Sequence, residues 1–319
     1  MPDLVVTASA ALAVTAQAET DAARTFAMAE KSEATRRAYR SDFAIFTAWC
    51  GARGVASLPA TPQTVQVFLA SQAIGKTKAS TLGRRVAAIR YAHKLAGIES
   101  PTNSELVKAE LRGIRRTIGA APEQKDPATA DRVVSMVAAI PDTLAGLRDR
   151  ALLLLGFAGA FRRSELVALS VADLIDAEGG IRVLIRKSKT DQEGAGQEIA
   201  IPAGGKLRAV EAVKAWLAAA GITEGPVFRS VNRGGRVLPD ALTDRSVALV
   251  VKAYAERAGL DPAVYAGHSL RSGFLTSAAE NGANVFKMME VSRHKSVDTL
   301  RGYVRRADLF KDHTGAAFL

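Results

Sequence analysis

At 319 residues the chain can hold two domains, each with a real core, and a composition 48% hydrophobic and 24% charged marks an ordinary soluble globular protein. The single Cys50 excludes a disulfide framework and a cysteine-built zinc site. The net charge of +11 sits almost wholly in residues 31–120, which carry 15 basic and 5 acidic side chains against 1 and 4 in residues 1–30; such a segment suits a surface laid along a phosphate backbone.

Residues 1–25 are rich in Ala and Thr, lack caps and a periodic apolar face, and are expected to be disordered. Residues 26–118 read as a helical DNA-binding domain. In its first helix Tyr39, Phe43, Phe46 and Cys50 recur at helical spacing and make one apolar stripe, with Cys50 as a buried structural thiol. Thr61-Pro62 is an N-cap with proline at the first helical position, and Val65, Phe68 and Leu69 supply the buried face behind it. A third helix is expected from about Thr81 to Ala96, with Leu82, Val86 and Ile89 on one side and Gly97 as its stop, and a fourth from about Ser104 to Ile118. The cations of this domain expected to bind DNA are Arg36, Arg37, Arg40, Lys76, Lys78, Arg84, Arg85, Arg90 and Lys94.

Residues 119–128 read as a linker, with two prolines, a glycine and no apolar periodicity. Beyond it, residues 129–140, 147–159 and 163–169 read as helices. Ile181–Arg186 and Gln197–Ile201 read as two strands of a small antiparallel sheet, joined by a Gly-containing turn at 191–196. Helices return at about 206–220, 241–258, 269–280, 284–291 and 296–302. The fold class is therefore mostly α with a small antiparallel β-sheet. No apolar run approaches the roughly 20 residues that span a bilayer, and the Met-Pro-Asp start lacks the basic region of a signal peptide. The expectation is a cytoplasmic, nucleoid-associated chain.

The residues able to carry chemistry are concentrated in the second half. Arg162 stands where a long apolar helix ends, with Glu165 one helical turn on. Lys189 lies at the mouth of the hairpin, and His268 and Arg271 share one face of a helix. His294 and Tyr303 follow. Each motif alone also fits a surface ion pair or a solvated loop. Together they suit phosphoryl transfer: guanidinium forks hold non-bridging oxygens, a tyrosine can keep the phosphate covalently, and lysine or histidine can move the protons. No carboxylate cluster for a metal is evident in the sequence, and no cofactor or metal is expected.

In order and spacing, Arg162, Lys189, His268, Arg271, His294 and Tyr303 resemble the active site of the tyrosine recombinase (phage integrase) family, in a Cre-like layout. Gly159-Ala-Phe-Arg162-Arg-Ser-Glu165-Leu resembles its first arginine box, Ser188-Lys189-Thr190 its hairpin lysine, and His268-Ser-Leu-Arg271-Ser-Gly273 its second box. His294 precedes Tyr303 by nine residues, the family's usual interval. One departure is His294, where Cre-like enzymes can carry tryptophan. The resemblance implies a two-domain DNA clamp, made of a helical core-binding domain and an α+β catalytic domain over 129–319. It implies that Tyr303 attacks a scissile phosphate to give a 3′-phosphotyrosyl link and a free 5′-hydroxyl. Arg162 and Arg271 would hold the phosphate, Lys189 would give the leaving oxygen its proton, His268 would assist Tyr303, and His294 would hydrogen-bond the phosphate. Glu165 would orient Arg162 or His268. The implied partners are double-stranded DNA with specific sites and three further copies of the chain, linked through a short C-terminal docking segment. The rival readings are a type IB topoisomerase-like nicking-closing enzyme and a DNA-binding regulator without catalysis.

Overall fold

The structure, a computed structural model, describes residues 30–119, 124–186 and 196–307, with positions 18–19, 21–22 and 25–26. The expectations for Lys189 and most of the hairpin turn, for residues 308–319 and for most of residues 1–25 lie outside the described residues. By its contacts the chain divides into two units, Met1–Glu123 and Gln124–Leu319.

In the first unit, helix α1 (Glu33–Gly51) begins at Ser32, α2 (Pro62–Ile74) at Thr61 and α4 (Glu105–Ile118) at Ser104, each cap hydroxyl accepting a backbone N–H of the first turn. Helix α3 (Ala79–Leu95) starts without such a cap and is held by packing, with Leu82 and Ile89 fully buried. The core forms around Phe46, Phe68 and Leu69, and the Phe46 and Phe68 rings meet edge-on at 5.0 Å. Cys50 is buried at the end of that stripe, as its spacing predicts. His93 is also buried: its Nε2 accepts from the Ala60 N–H at 3.0 Å while Nδ1 meets the Ile89 carbonyl at 2.9 Å, so both ring nitrogens are satisfied.

In the second unit, α5 (Ala130–Ala138) leads to α6 (Leu144–Ala158), whose run from Leu152 to Leu155 is buried on every side and forms the centre of the core. Short α7 (Arg163–Ala168) follows, then an antiparallel sheet of β1 (Leu174–Ala177), β2 (Gly180–Ile185) and β3 (Gln197–Pro202) in that spatial order. Helix α8 (Ala209–Ala220) buries Trp216, whose Nε1–H donates to the Val227 carbonyl at 2.8 Å. A hairpin of β4 (Arg229–Val231) and β5 (Val237–Ala241) precedes α9 (Asp244–Arg257), α10 (Ser269–Glu280), α11 (Val285–Ser292) and α12 (Val297–Ala307). A Cβ on Gly273 of α10 would come within 1.7 Å of the Ala128 carbonyl oxygen. The glycine lets residue 128 lie against the helix, where the Ala128 N–H donates to the Ser269 carbonyl at 2.8 Å.

The expected helices are present with ends shifted by about three residues, and the last extends further, to Ala307. The sheet content is larger than the two expected strands. β1 is four residues with only partial burial, too short to show alternation, and β5 carries Pro239, a residue that argues against a central strand.

Candidate active site

Helix α6 ends at Gly159, and the chain turns sharply through Ala160, which holds a positive φ of 44° although it is not glycine. The turn delivers Arg162 to the N-cap of α7. Glu165, at the third helical position, accepts the Arg162 backbone N–H at 2.9 Å and the Arg162 guanidinium at 2.6 Å. Glu165 is buried, and its other charged partner is Arg293, which donates from Nη2 at 2.7 Å. Burial alone would raise the Glu165 carboxyl, but Arg293 and Arg162 outweigh it and hold it below its ordinary value.

Arg271, on the first turn of α10, reaches back to the same turn and donates from Nη1 to the Ala160 carbonyl at 2.7 Å. Its Nη2 meets His294 Nε2 at 3.1 Å. His294 follows the end of α11, and its Nδ1 lies 2.8 Å from Ser292 Oγ, which spends its own proton on the Met288 carbonyl. With that hydroxyl committed, Nδ1 carries the ring proton and Nε2 is left to accept from Arg271. Burial, with Arg271, Arg162 and Arg293 nearby, pushes His294 down to about 4, so the ring is neutral at pH 7. Burial and the two other arginines push Arg271 down to about 9. Among the described residues three guanidinium groups thus face a single carboxylate, leaving uncompensated positive charge where an anion would be stabilised.

Tyr303 lies on α12, half-buried against the small cluster of Leu275, Met288 and Leu300, and near enough to Arg271 to act on its charge. His268 is the exposed N-cap residue of α10, one turn before Arg271. The structure therefore joins Arg162 to Glu165 and Arg271 to His294 by direct contact, links the two pairs through Arg293 and the Ala160 carbonyl, and places Tyr303 near enough to Arg271 to act on its charge. Lys189 lies outside the described residues, but the stem that leads to it is fixed: Arg186, after β2, donates to buried Asp173 at 2.6 Å. Among the described residues no group of three or more His, Cys, Asp or Glu is placed to hold a metal ion.

The nine expected DNA-binding cations do not share one environment. Arg84 pairs with buried Asp42 at 2.6 Å, and Arg85, its side chain only 12% exposed, bonds Gln72 and lies near the same carboxylate. Arg37 pairs with Glu33, Lys94 with Glu30, and Arg90 donates to Thr102. Arg36 and Arg40 line a small pocket with Tyr39, Phe43 and Tyr91, while Lys76 and Lys78 are exposed between α2 and α3. Two groups escape the sequence reasoning. Helix α4 presents Lys108, Arg112, Arg115 and Arg116 to solvent, visible as a basic run once its buried face at Val107 and Ile114 is placed. Arg293 is the other; its only signal is an arginine where a helix C-terminus calls for glycine or asparagine.

The model of the phage integrase family matches residues 128–309, and that of the phage integrase N-terminal SAM-like domain matches residues 25–99. The chain is 41% identical over 292 residues to an integrase/recombinase XerD homolog of Selenomonas ruminantium, covering 89% of this chain and 85% of that protein. It is 25% identical to the Cre recombinase of Escherichia phage P1, over 85% and 82% of the two chains. Among solved structures, a lambda integrase dimer bound to a COC′ core site matches with a TM-score of 0.58 at 18% identity, covering 86% of this chain and 72% of that one, which is a likeness of fold.

Proposed function

The chain belongs to the phage integrase family and is a tyrosine recombinase that acts on double-stranded DNA, and from that premise we propose that Tyr303 is its nucleophile at specific target sites. The observation that supports this most directly is the convergence of Arg162, Arg271 and His294 beside Tyr303, with positive charge in excess. The Tyr303 oxygen attacks the scissile phosphorus, the bond from phosphorus to the 5′-oxygen breaks, and a 3′-phosphotyrosyl ester remains. Attack by another 5′-hydroxyl reverses the step and frees Tyr303, so the energy of the broken bond is kept and no nucleotide is consumed. Arg162 and Arg271 hold the non-bridging oxygens and oppose the charge that grows in the transition state. Lys189 supplies the proton to the leaving 5′-oxygen, and His268 takes the tyrosine's proton, roles carried by the family resemblance. The negative phosphate favours the protonated form of His294, turning Nε2 from an acceptor into a donor toward it. Four copies on paired sites, working in the cytoplasm on the nucleoid, complete the proposal.

The test incubates the protein with labelled duplex fragments of its host's DNA and resolves the products on a denaturing gel. The native chain should give a covalent adduct, and Tyr303→Phe should retain DNA without one. A covalent adduct persisting in Tyr303→Phe removes Tyr303 from the role.

A further inference from the structure

We propose that Arg293 is a positioning residue for strand cutting: it seats Glu165 and the Gly159–Ala160 turn so that Arg162 and Arg271 meet the phosphate together. The proposal rests on the reading of Tyr303 given above.

Arg293 ends α11 in the left-handed conformation, with φ of 59°, a region that disfavours any residue bearing a Cβ. A glycine there would cap the helix with less strain, so the arginine side chain has to justify its place. That side chain is 1% exposed, and both of its Nη atoms are engaged while the buried Nε has no hydrogen-bond partner among the described residues. Nη2 donates to Glu165 Oε2 at 2.7 Å and to the Ala160 carbonyl at 3.0 Å; Nη1 donates to the Gly159 carbonyl at 3.0 Å and to the Val291 carbonyl. The guanidinium also lies 5.2 Å from the centre of the Phe161 ring.

Every one of these partners but Val291 belongs to the segment that presents Arg162. Glu165 Oε2 accepts both the Arg293 guanidinium and the Arg162 backbone N–H, which leaves Oε1 for the Arg162 guanidinium, so Arg293 helps fix the carboxylate in the orientation that Arg162 meets. The Ala160 carbonyl is shared by Arg271 and Arg293, so the same side chain also fixes the seat of Arg271. Ala160 itself is strained at a φ of 44°. Two strained residues, one on each side of the site, are joined by one buried guanidinium. The arrangement suits a device that holds two phosphate-binding forks in register before DNA arrives.

The experiment compares Arg293→Lys and Arg293→Gly with the native chain and with Tyr303→Phe. The lysine keeps the charge and loses the fork; the glycine relieves the backbone and loses both. Non-covalent DNA retention, single-turnover adduct formation, thermal melting and the NMR titration of His294 are read for each. Both variants should retain DNA as the native chain does. Adduct formation should fall by about 100-fold in Arg293→Gly and by less in Arg293→Lys. His294 should titrate at higher pH in Arg293→Gly, because Arg293 is one of three arginines holding it down; Arg271 on α10, Arg162 and Glu165 at α7 and Tyr303 on α12 still surround the site. Arg293→Lys should leave that titration near its native position. If Arg293→Gly does not fold, Arg293→Lys decides the question, since it tests the fork at constant charge. Folded variants that cut at the native rate, or losses that only track the unfolded fraction, overturn the role of Arg293. No adduct from the native chain, or an adduct persisting in Tyr303→Phe, overturns the underlying reading of the site and this proposal with it.

Discussion

A histidine surrounded by guanidinium groups resists protonation, and His294 is pushed from 6.5 down to about 4 by burial first and then by Arg271, Arg162 and Arg293. Above pH 6.5 neither the folded nor the unfolded chain protonates this ring, and native stability is undiminished by it. As the pH falls from 6.5 toward 4 the unfolded chain takes the proton and the folded chain does not, so stability is lost across that window. Glu165, held below its ordinary value, adds loss in the same direction at lower pH. Urea unfolding of the native chain should therefore weaken on acidification more steeply than that of His294→Gln, by up to about 1.4 kcal/mol per pH unit. Equal slopes would remove His294 from this account. Glu165→Ala leaves the buried Arg293 and the nearly buried Arg162 without their carboxylate and should cost about 3–5 kcal/mol by the same measurement. At this scale the sequence showed the residue types and spacing of Arg162, Glu165, Arg271 and His294, but only the Arg162–Glu165 contact is made within one helical turn, while Arg271 and His294 meet from positions 23 residues apart. Arg293 was hidden, because its role depends on a fold-back from α11 to the end of α6 that no local pattern records.

At the scale of elements, caps and glycines carried most of the legible information. Thr61 with Pro62 announced α2, and Gly97 marked the end of α3 with a φ of 69°. The strands were less legible. β1 and β4 are four and three residues long and leave no alternation to read. Two glycine substitutions test the opposite extremes of space. Gly273→Ala on α10 drives a Cβ against the Ala128 backbone oxygen, which cannot swing aside as a flexible side chain would. It should destabilise the second unit by about 1–3 kcal/mol in thermal unfolding. Gly113 of α4 has nothing within 4 Å of its added Cβ and ordinary helical geometry. Gly113→Ala should therefore stabilise the first unit by about 0.5–1 kcal/mol, by lowering the entropy lost on folding. A melting temperature unmoved by Gly273→Ala would mean that residue 128 is free to retreat from α10.

For the molecule as a whole, charge is what the composition foretold and what the structure redistributes. The excess of basic residues in 31–120 is plain in the sequence, but which of them are free to meet phosphate depends on tertiary partners. Arg85 is largely buried beside Asp42 and Gln72, so its charge helps assemble α1, α2 and α3. Arg115 and Arg116 stand exposed in the last turn of α4, where positive charge also complements the helix end. DNA affinity measured against salt separates the two kinds. Each cation that displaces a counterion from phosphate contributes about one unit to the slope of log affinity against log salt. Arg116→Ala should lower that slope by about one while leaving the melting temperature near its native value. Arg85→Ala should lower the melting temperature and leave the slope of the folded protein nearly unchanged. If Arg85→Ala instead removes as much slope as Arg116→Ala, then Arg85 leaves its buried partners on DNA, and the phosphate-binding surface of the first unit extends from α4 onto α3.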